Sequence, residues 1–158
     1  MKKEFSFVQV KLPQIDLTGV SVLTDMEKSQ VDCVDLWEKT FMPAAAPHLK
    51  AAPAGTPTYG LSLVEDLAKG SFHYFAAFPW TGAAPEGFKN MSAPEGSYIK
   101  CTLNSLQDIG PAYTALFEYV QKQSGIDFRP EAPSLEEYPA AFPQPETLYI
   151  YMPVKTVT

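Results

Sequence analysis

Phe5-Ser6-Phe7-Val8-Gln9-Val10-Lys11-Leu12 alternates apolar and polar side chains with a period of two, the pattern of a strand with one buried face. Pro13 interrupts it. A second extended segment is predicted near Ile15 to Leu23, with Gly19 as a bulge. The period then changes. Val31, Val34, Trp37 and Phe41 fall at helical spacing, so an amphipathic helix is predicted, with Asp25 at its N-cap and Pro43 ending it. Lys28 stands where a full capping box would carry glutamate. Residues 43–57 are rich in proline and alanine and read as a loop inserted between elements.

Strands resume at Tyr59–Val64 and Ser71–Phe78, joined by a polar turn. Ala84-Pro85-Glu86-Gly87 recurs as Ala93-Pro94-Glu95-Gly96, and proline second with glycine fourth suits a type I turn in both. Ser97 to Leu103 alternates as a strand with Ile99, Cys101 and Leu103 on one face. A helix follows, carrying Ile109, Tyr113, Leu116, Phe117 and Val120 inward, with Pro111 in its first turn and Ser124-Gly125 closing it. Extended pieces at 135–138 and 147–154 complete the chain. The order strand, helix, strand, strand thus occurs twice, over about 5–80 and about 96–156 of a single domain 1–158. That order predicts an α+β fold with pseudo-twofold symmetry. Curved antiparallel sheets would be covered by two main helices, with a ligand cleft at the centre.

Composition narrows the partners. The chain has 158 residues and a net charge of −6, with 46% hydrophobic and 19% charged residues. Its 12 Lys and Arg are not clustered, so direct nucleic-acid binding is not expected. No apolar run is long enough for a membrane span, and no signal peptide follows Met1-Lys2-Lys3, so a cytoplasmic location is expected. Cys33 and Cys101 lack redox or metal spacing and read as free thiols. His48 is read as a loop residue and His73 as a strand residue, neither with metal-site spacing, and phosphate-binding glycine loops are missing, so no metal and no cofactor are expected.

Aromatic residues reach 13%, which makes them candidates for a core or a ligand cleft. In Leu135-Glu136-Glu137-Tyr138, strand alternation sends Glu136 and Tyr138 to one side and Glu137 to the other. A carboxylate facing the interior must be hydrogen-bonded or neutralised. Among aromatic rings it suits a cation with an apolar body, with cation–π contacts contributing roughly 0.5–2 kcal/mol each. The residues alone favour the plainer reading, two solvated glutamates on a strand edge.

Motifs in order along the chain weigh on that choice. They are Val8-Gln9-Val10-Lys11-Leu12-Pro13, Thr18-Gly19-Val20, Leu36-Trp37, Tyr59-Gly60, Phe72-His73-Tyr74-Phe75-Ala76-Ala77, Gly96-Ser97-Tyr98, Leu135-Glu136-Glu137-Tyr138 and Tyr149-Ile150-Tyr151-Met152-Pro153-Val154-Lys155. Together they resemble the bacterial GyrI-like family, the effector-binding module of AraC- and MerR-type multidrug transcription regulators. Met152, where isoleucine is common, and Ala77, where glycine is common, depart from the pattern, as does the Ala/Pro-rich 43–57 segment.

The resemblance implies a stand-alone module for apolar, cationic amphipathic compounds, used for drug sensing or sequestration. It places Glu136 at the bottom of the cleft and Trp37, Tyr59, Tyr74, Tyr138, Phe41, Phe78 and Tyr149 as its walls. It also implies two alternatives: a hydrolase of reactive small molecules using Glu136, or a protein inhibitor of a DNA enzyme such as gyrase.

Overall fold

A computed structural model of the chain describes residues 4–66, 68–139 and 147–157. The opening Met1-Lys2-Lys3 lies outside them. The strands are β1 (Phe7–Leu12), β2 (Ile15–Asp25), β3 (Thr58–Asp66), β4 (Ser71–Pro79), β5 (Lys89–Ala93), β6 (Gly96–Leu103), β7 (Ile126–Phe128), β8 (Ser134–Tyr138) and β9 (Leu148–Thr156). Helices α1 (Ser29–Asp35) and α2 (Met42–Ala51) are joined by a π-helical turn, Leu36–Phe41, and α3 spans Ile109–Lys122.

The strands form one antiparallel sheet in the order β1-β6-β9-β8-β3-β4-β2-β5, with β7 beside β9. Read from the β8–β3 pair outward, the order is symmetric. Each half gives its last two strands and then its second (β8-β9-β6 and β3-β4-β2), while its first strand, β1 or β5, pairs with the other half. The duplication expected from element order is therefore present, with the two leading strands exchanged.

Connection lengths show how far the sheet bends. Leu12 of β1 and Ile15 of β2 are separated by two residues, as are Ala93 of β5 and Gly96 of β6. A two-residue link spans at most about 11 Å. In a flat sheet the strands it joins would lie six spacings apart, roughly 29 Å. The sheet must curl to bring its edges together.

Curling creates two apolar compartments. Inside the curl, Leu17, Tyr59, Leu61, Ala77, Tyr98, Leu135 and Tyr151 pack together. On the other face the helices cover Tyr74, Phe78, Ile99, Cys101, Leu103, Tyr138, Ile150 and Met152. The buried Leu, Ile, Phe and Met side chains among them contribute about 1.5–3 kcal/mol each.

The first helical region departs from expectation. Pro43 does not end it, and residues 43–51 are helix rather than loop. The π turn ends with the Met42 N–H donating to the Trp37 carbonyl, five residues back, so α2 starts afresh with Pro43 in its first turn. There a missing N–H costs little. The face also differs. Val31 is 65% and Val34 50% exposed, while Leu36, Trp37, Phe41 and Ala45 are buried. Spacing of four overshoots an α-helical turn, and the wider π turn takes up the excess, keeping Trp37, Phe41 and Ala45 on one line. Asp25 accepts from the Glu27 and Lys28 N–H groups and so shapes the turn before α1.

Other expectations need smaller corrections. Gly19 is not a bulge: its register with Ala77 is continuous, and a Cβ there would lie 2.0 Å from the Ala76 carbonyl oxygen. Close backbone approach, not an extra residue, demands the glycine. In α3, Ala112, Leu116 and Val120 are buried at steps of four, while Phe117 is 47% exposed and meets Phe128 instead.

Candidate functional site

Strand alternation divides the glutamate pair of β8. Glu136 and Tyr138 face the helices, and Glu137 faces the inside of the curl, where Tyr59 and Tyr151 donate to its carboxylate at 3.2 and 2.8 Å. Glu136 is 6% exposed. Tyr138 donates to its Oε1 at 2.5 Å, Tyr74 to the same oxygen at 3.0 Å, and Tyr113 of α3 to Oε2 at 3.5 Å. Trp37 Nε1 in turn donates to the Tyr74 hydroxyl at 2.8 Å. Among the described residues, the partners of this carboxylate are phenols rather than cations.

Each part of the cluster comes from a different element. Tyr74 sits in the middle of β4, Trp37 in the π turn, Tyr113 in the second turn of α3, and Tyr138 two residues along β8 from Glu136. Gly60 of β3 is the cross-strand partner of Glu136. A Cβ on Gly60 would lie 2.3 Å from the Tyr74 hydroxyl and 2.8 Å from Glu136 Oε1, so the hydroxyl–carboxylate pair occupies the space of a missing side chain.

Burial raises the Glu136 pKa above the ordinary carboxylate value, and hydrogen bonds from Tyr138, Tyr74 and Tyr113 oppose that rise. Burial, with the Glu136 charge second, holds Tyr74, Tyr113 and Tyr138 well above the usual phenol range, so they remain donors at neutral pH. Cys33 of α1 stands near enough for Glu136 to act on it. Burial, then Glu136, pushes its thiol up to about 12, which makes it a poor nucleophile.

Of the residues expected at the cleft, Glu136, Tyr74, Tyr138 and Trp37 are brought together. The Trp37 ring meets Phe41 at 4.9 Å and Tyr138 at 5.5 Å, both edge-on, and Phe41 meets Phe78 at 6.1 Å. Tyr59 and Tyr149 are not on this wall. Their positions in β3 and β9 send them to the other face, Tyr59 to Glu137 and Tyr149 under the Lys100 ammonium at 4.3 Å. Tyr113 was not expected at the cluster, although its place on the inner stripe of α3 was readable. His48, expected in a loop, lies in α2 with its ring 5.9 Å from Phe78, 5.7 Å from Trp80 and 5.7 Å from Phe88.

A buried carboxylate with a raised pKa, ringed by phenols and indole, can hold an apolar cation or exchange a proton. Side chains from the π turn and α3, Trp37 and Tyr113, cover it.

The family model described as a GyrI-like small molecule binding domain matches residues 6–155. No curated protein sequence matches the chain. Several solved structures share its fold. SAV2435 bound to tetraphenylphosphonium has a TM-score of 0.74 at 17% identity, covering 97% of this chain and 94% of its own. An integron cassette protein from the mobile metagenome of Vibrio cholerae has a TM-score of 0.71 at 18% identity, covering 96% and 97%. The C-terminal domain of EcmrR has a TM-score of 0.68 at 16% identity, covering 97% and 99%.

Proposed function

The chain belongs to the GyrI-like small-molecule-binding domain family, and from that premise we propose that it binds apolar, cationic aromatic compounds at Glu136. The observation that carries this reading is a carboxylate only 6% exposed whose partners, among the described residues, are hydroxyls. Phenols satisfy its lone pairs but do not cancel its charge. A cation brought against it gains Coulomb attraction in a low-dielectric setting and ring-face attraction from Trp37, Tyr74 and Tyr138. SAV2435, which shares the fold, is bound to tetraphenylphosphonium, a cation of this class.

Binding requires the cover to open. The π turn supplies Trp37 and Phe41 and packs on β2 and β4 above the carboxylate. Single π turns are uncommon and often occur where function needs an irregular helix. The ligand would select an open arrangement in which Trp37 leaves Tyr74. Titration calorimetry with tetraphenylphosphonium tests the proposal. Binding lost on Glu136→Gln supports it, and equal affinity in the two proteins would sink it.

The same chemistry supports a second reading. A carboxyl group with a raised pKa beside phenols suits general acid–base work, here hydrolysis of an electrophilic small molecule. Turnover of such a substrate, abolished by Glu136→Gln, would favour it over binding alone.

A further inference from the structure

We propose that His48 is a latch that holds the π turn closed over Glu136, so that a residue outside the carboxylate cluster sets how readily a ligand binds there. The inference rests on the ligand reading of Glu136 and adds the device that regulates it. Its ground is an aromatic cage. The His48 imidazole stacks on Phe78 at 5.9 Å and 19°, and meets Trp80 and Phe88 edge-on, each at 5.7 Å. Trp80 and Phe88 also stand edge-on to Phe78, at 5.8 and 5.7 Å. Three rings, one from β4 and two from the segment between β4 and β5, thus hold one side chain of α2.

The rest of α2 is weakly fixed. Of Met42–Ala51, Ala45 is buried, Met42, His48 and Leu49 are half-buried, and the others are exposed. An alanine methyl adds little apolar burial. Pro47 lies inside the helix and removes one backbone hydrogen bond. With so little else buried, the cage carries much of the hold on α2.

Phe78 joins this cage to the cover of Glu136. The same ring lies 6.1 Å from Phe41, whose ring meets Trp37 at 4.9 Å. Trp37 in turn donates to Tyr74, a partner of Glu136. α2 follows the π turn without a break, so a displacement of Trp37 and Phe41 pulls on His48. A ligand that binds an open arrangement has its apparent affinity reduced according to the fraction of molecules that are closed. Contacts present only in the closed form, the cage among them, lower that affinity. Weakening the cage should therefore tighten binding from a distance, a result that simple loss of structure does not produce.

Titration calorimetry with tetraphenylphosphonium tests the idea, together with hydrogen exchange of the Met42 amide, which closes the π turn on the Trp37 carbonyl. His48→Ala is expected to bind the cation about fivefold more tightly, the factor for losing one ring contact. It should also exchange the Met42 proton faster. Phe88→Ala removes a cage wall from the other side of the contact and should act in the same direction. The double variant should gain little over either alone, since both break the same contact. Unchanged or weaker binding in both single variants would overturn the latch. So would loosening confined to residues 45–51 with the Met42 proton unaffected. A parent protein that does not bind tetraphenylphosphonium would defeat the ligand reading alone, and the Met42 proton would still decide whether the cage closes the turn.

Discussion

Gly60 faces Glu136 directly across the β3–β8 ladder, and the carboxylate and the Tyr74 hydroxyl fill the volume where its side chain would stand. Gly60→Ala should therefore destabilise the fold by about 1–3 kcal/mol through overpacking. Urea unfolding measures it. Adding Tyr74→Phe to Gly60→Ala should recover part of the loss, because the nearest clash is with that hydroxyl. A double-mutant cycle with no coupling would disprove the shared space.

The pH dependence of stability follows from the raised Glu136 pKa. The native state holds its proton to higher pH than the unfolded chain does. Unfolding free energy contributed by this group is fully present below the ordinary carboxylate pKa and is lost as pH rises through the folded value. Glu136→Gln should remove that slope. Its stability relative to the parent should grow as pH increases through the same window, read from urea midpoints at stepped pH.

Cation binding should carry the opposite sign. A cation favours the ionised carboxylate, so tetraphenylphosphonium should expel a proton and bind more weakly as pH falls. Calorimetry in buffers of different ionisation enthalpy counts that proton. Tyr74→Phe removes one of the hydrogen bonds that hold the Glu136 pKa down, so its affinity should begin to fall at a higher pH.

The two faces of β8 should separate cleanly. Glu137→Gln loosens Tyr59 and Tyr151 inside the curl. It is expected to lower stability by about 1 kcal/mol and leave tetraphenylphosphonium affinity unchanged. A large loss of affinity would place the ligand on the wrong side of the sheet.

His48→Ala should destabilise α2 by about 1–3 kcal/mol, since the imidazole contacts the rings of Phe78, Trp80 and Phe88. A shift in Trp80 emission, followed in Trp37→Phe protein, would report the loss of that contact.

Much of the fold was readable because strands advertise themselves by alternation. β1, β4 and β6 lie within a residue or two of where their patterns put them. The opposite aims of Glu136 and Glu137 were readable too, since alternation needs only an extended backbone, whereas the choice of Glu136 as the cleft residue rested on the family resemblance. Alternation could not tell which face of β3 and β9 shares the Glu136 side, because that depends on register across the sheet, and so Tyr59 and Tyr149 were misgrouped. The helical region failed for a different reason. A π turn breaks the 3.6-residue period on which the expected Val31–Val34 face rested, and it resets the ladder so that Pro43 is harmless.

The exchanged leading strands bear on how the molecule is made. β1 finds its partner only when β6 exists, with Phe7 beside Cys101, and β5 must travel back to β2. Neither half can finish its own border before the other is present. Maturation thus waits on pairings distant in the chain, which places it among slower folders, in milliseconds to seconds. An N-terminal half released by itself would show a bare strand rim, and would pair with a second copy or aggregate.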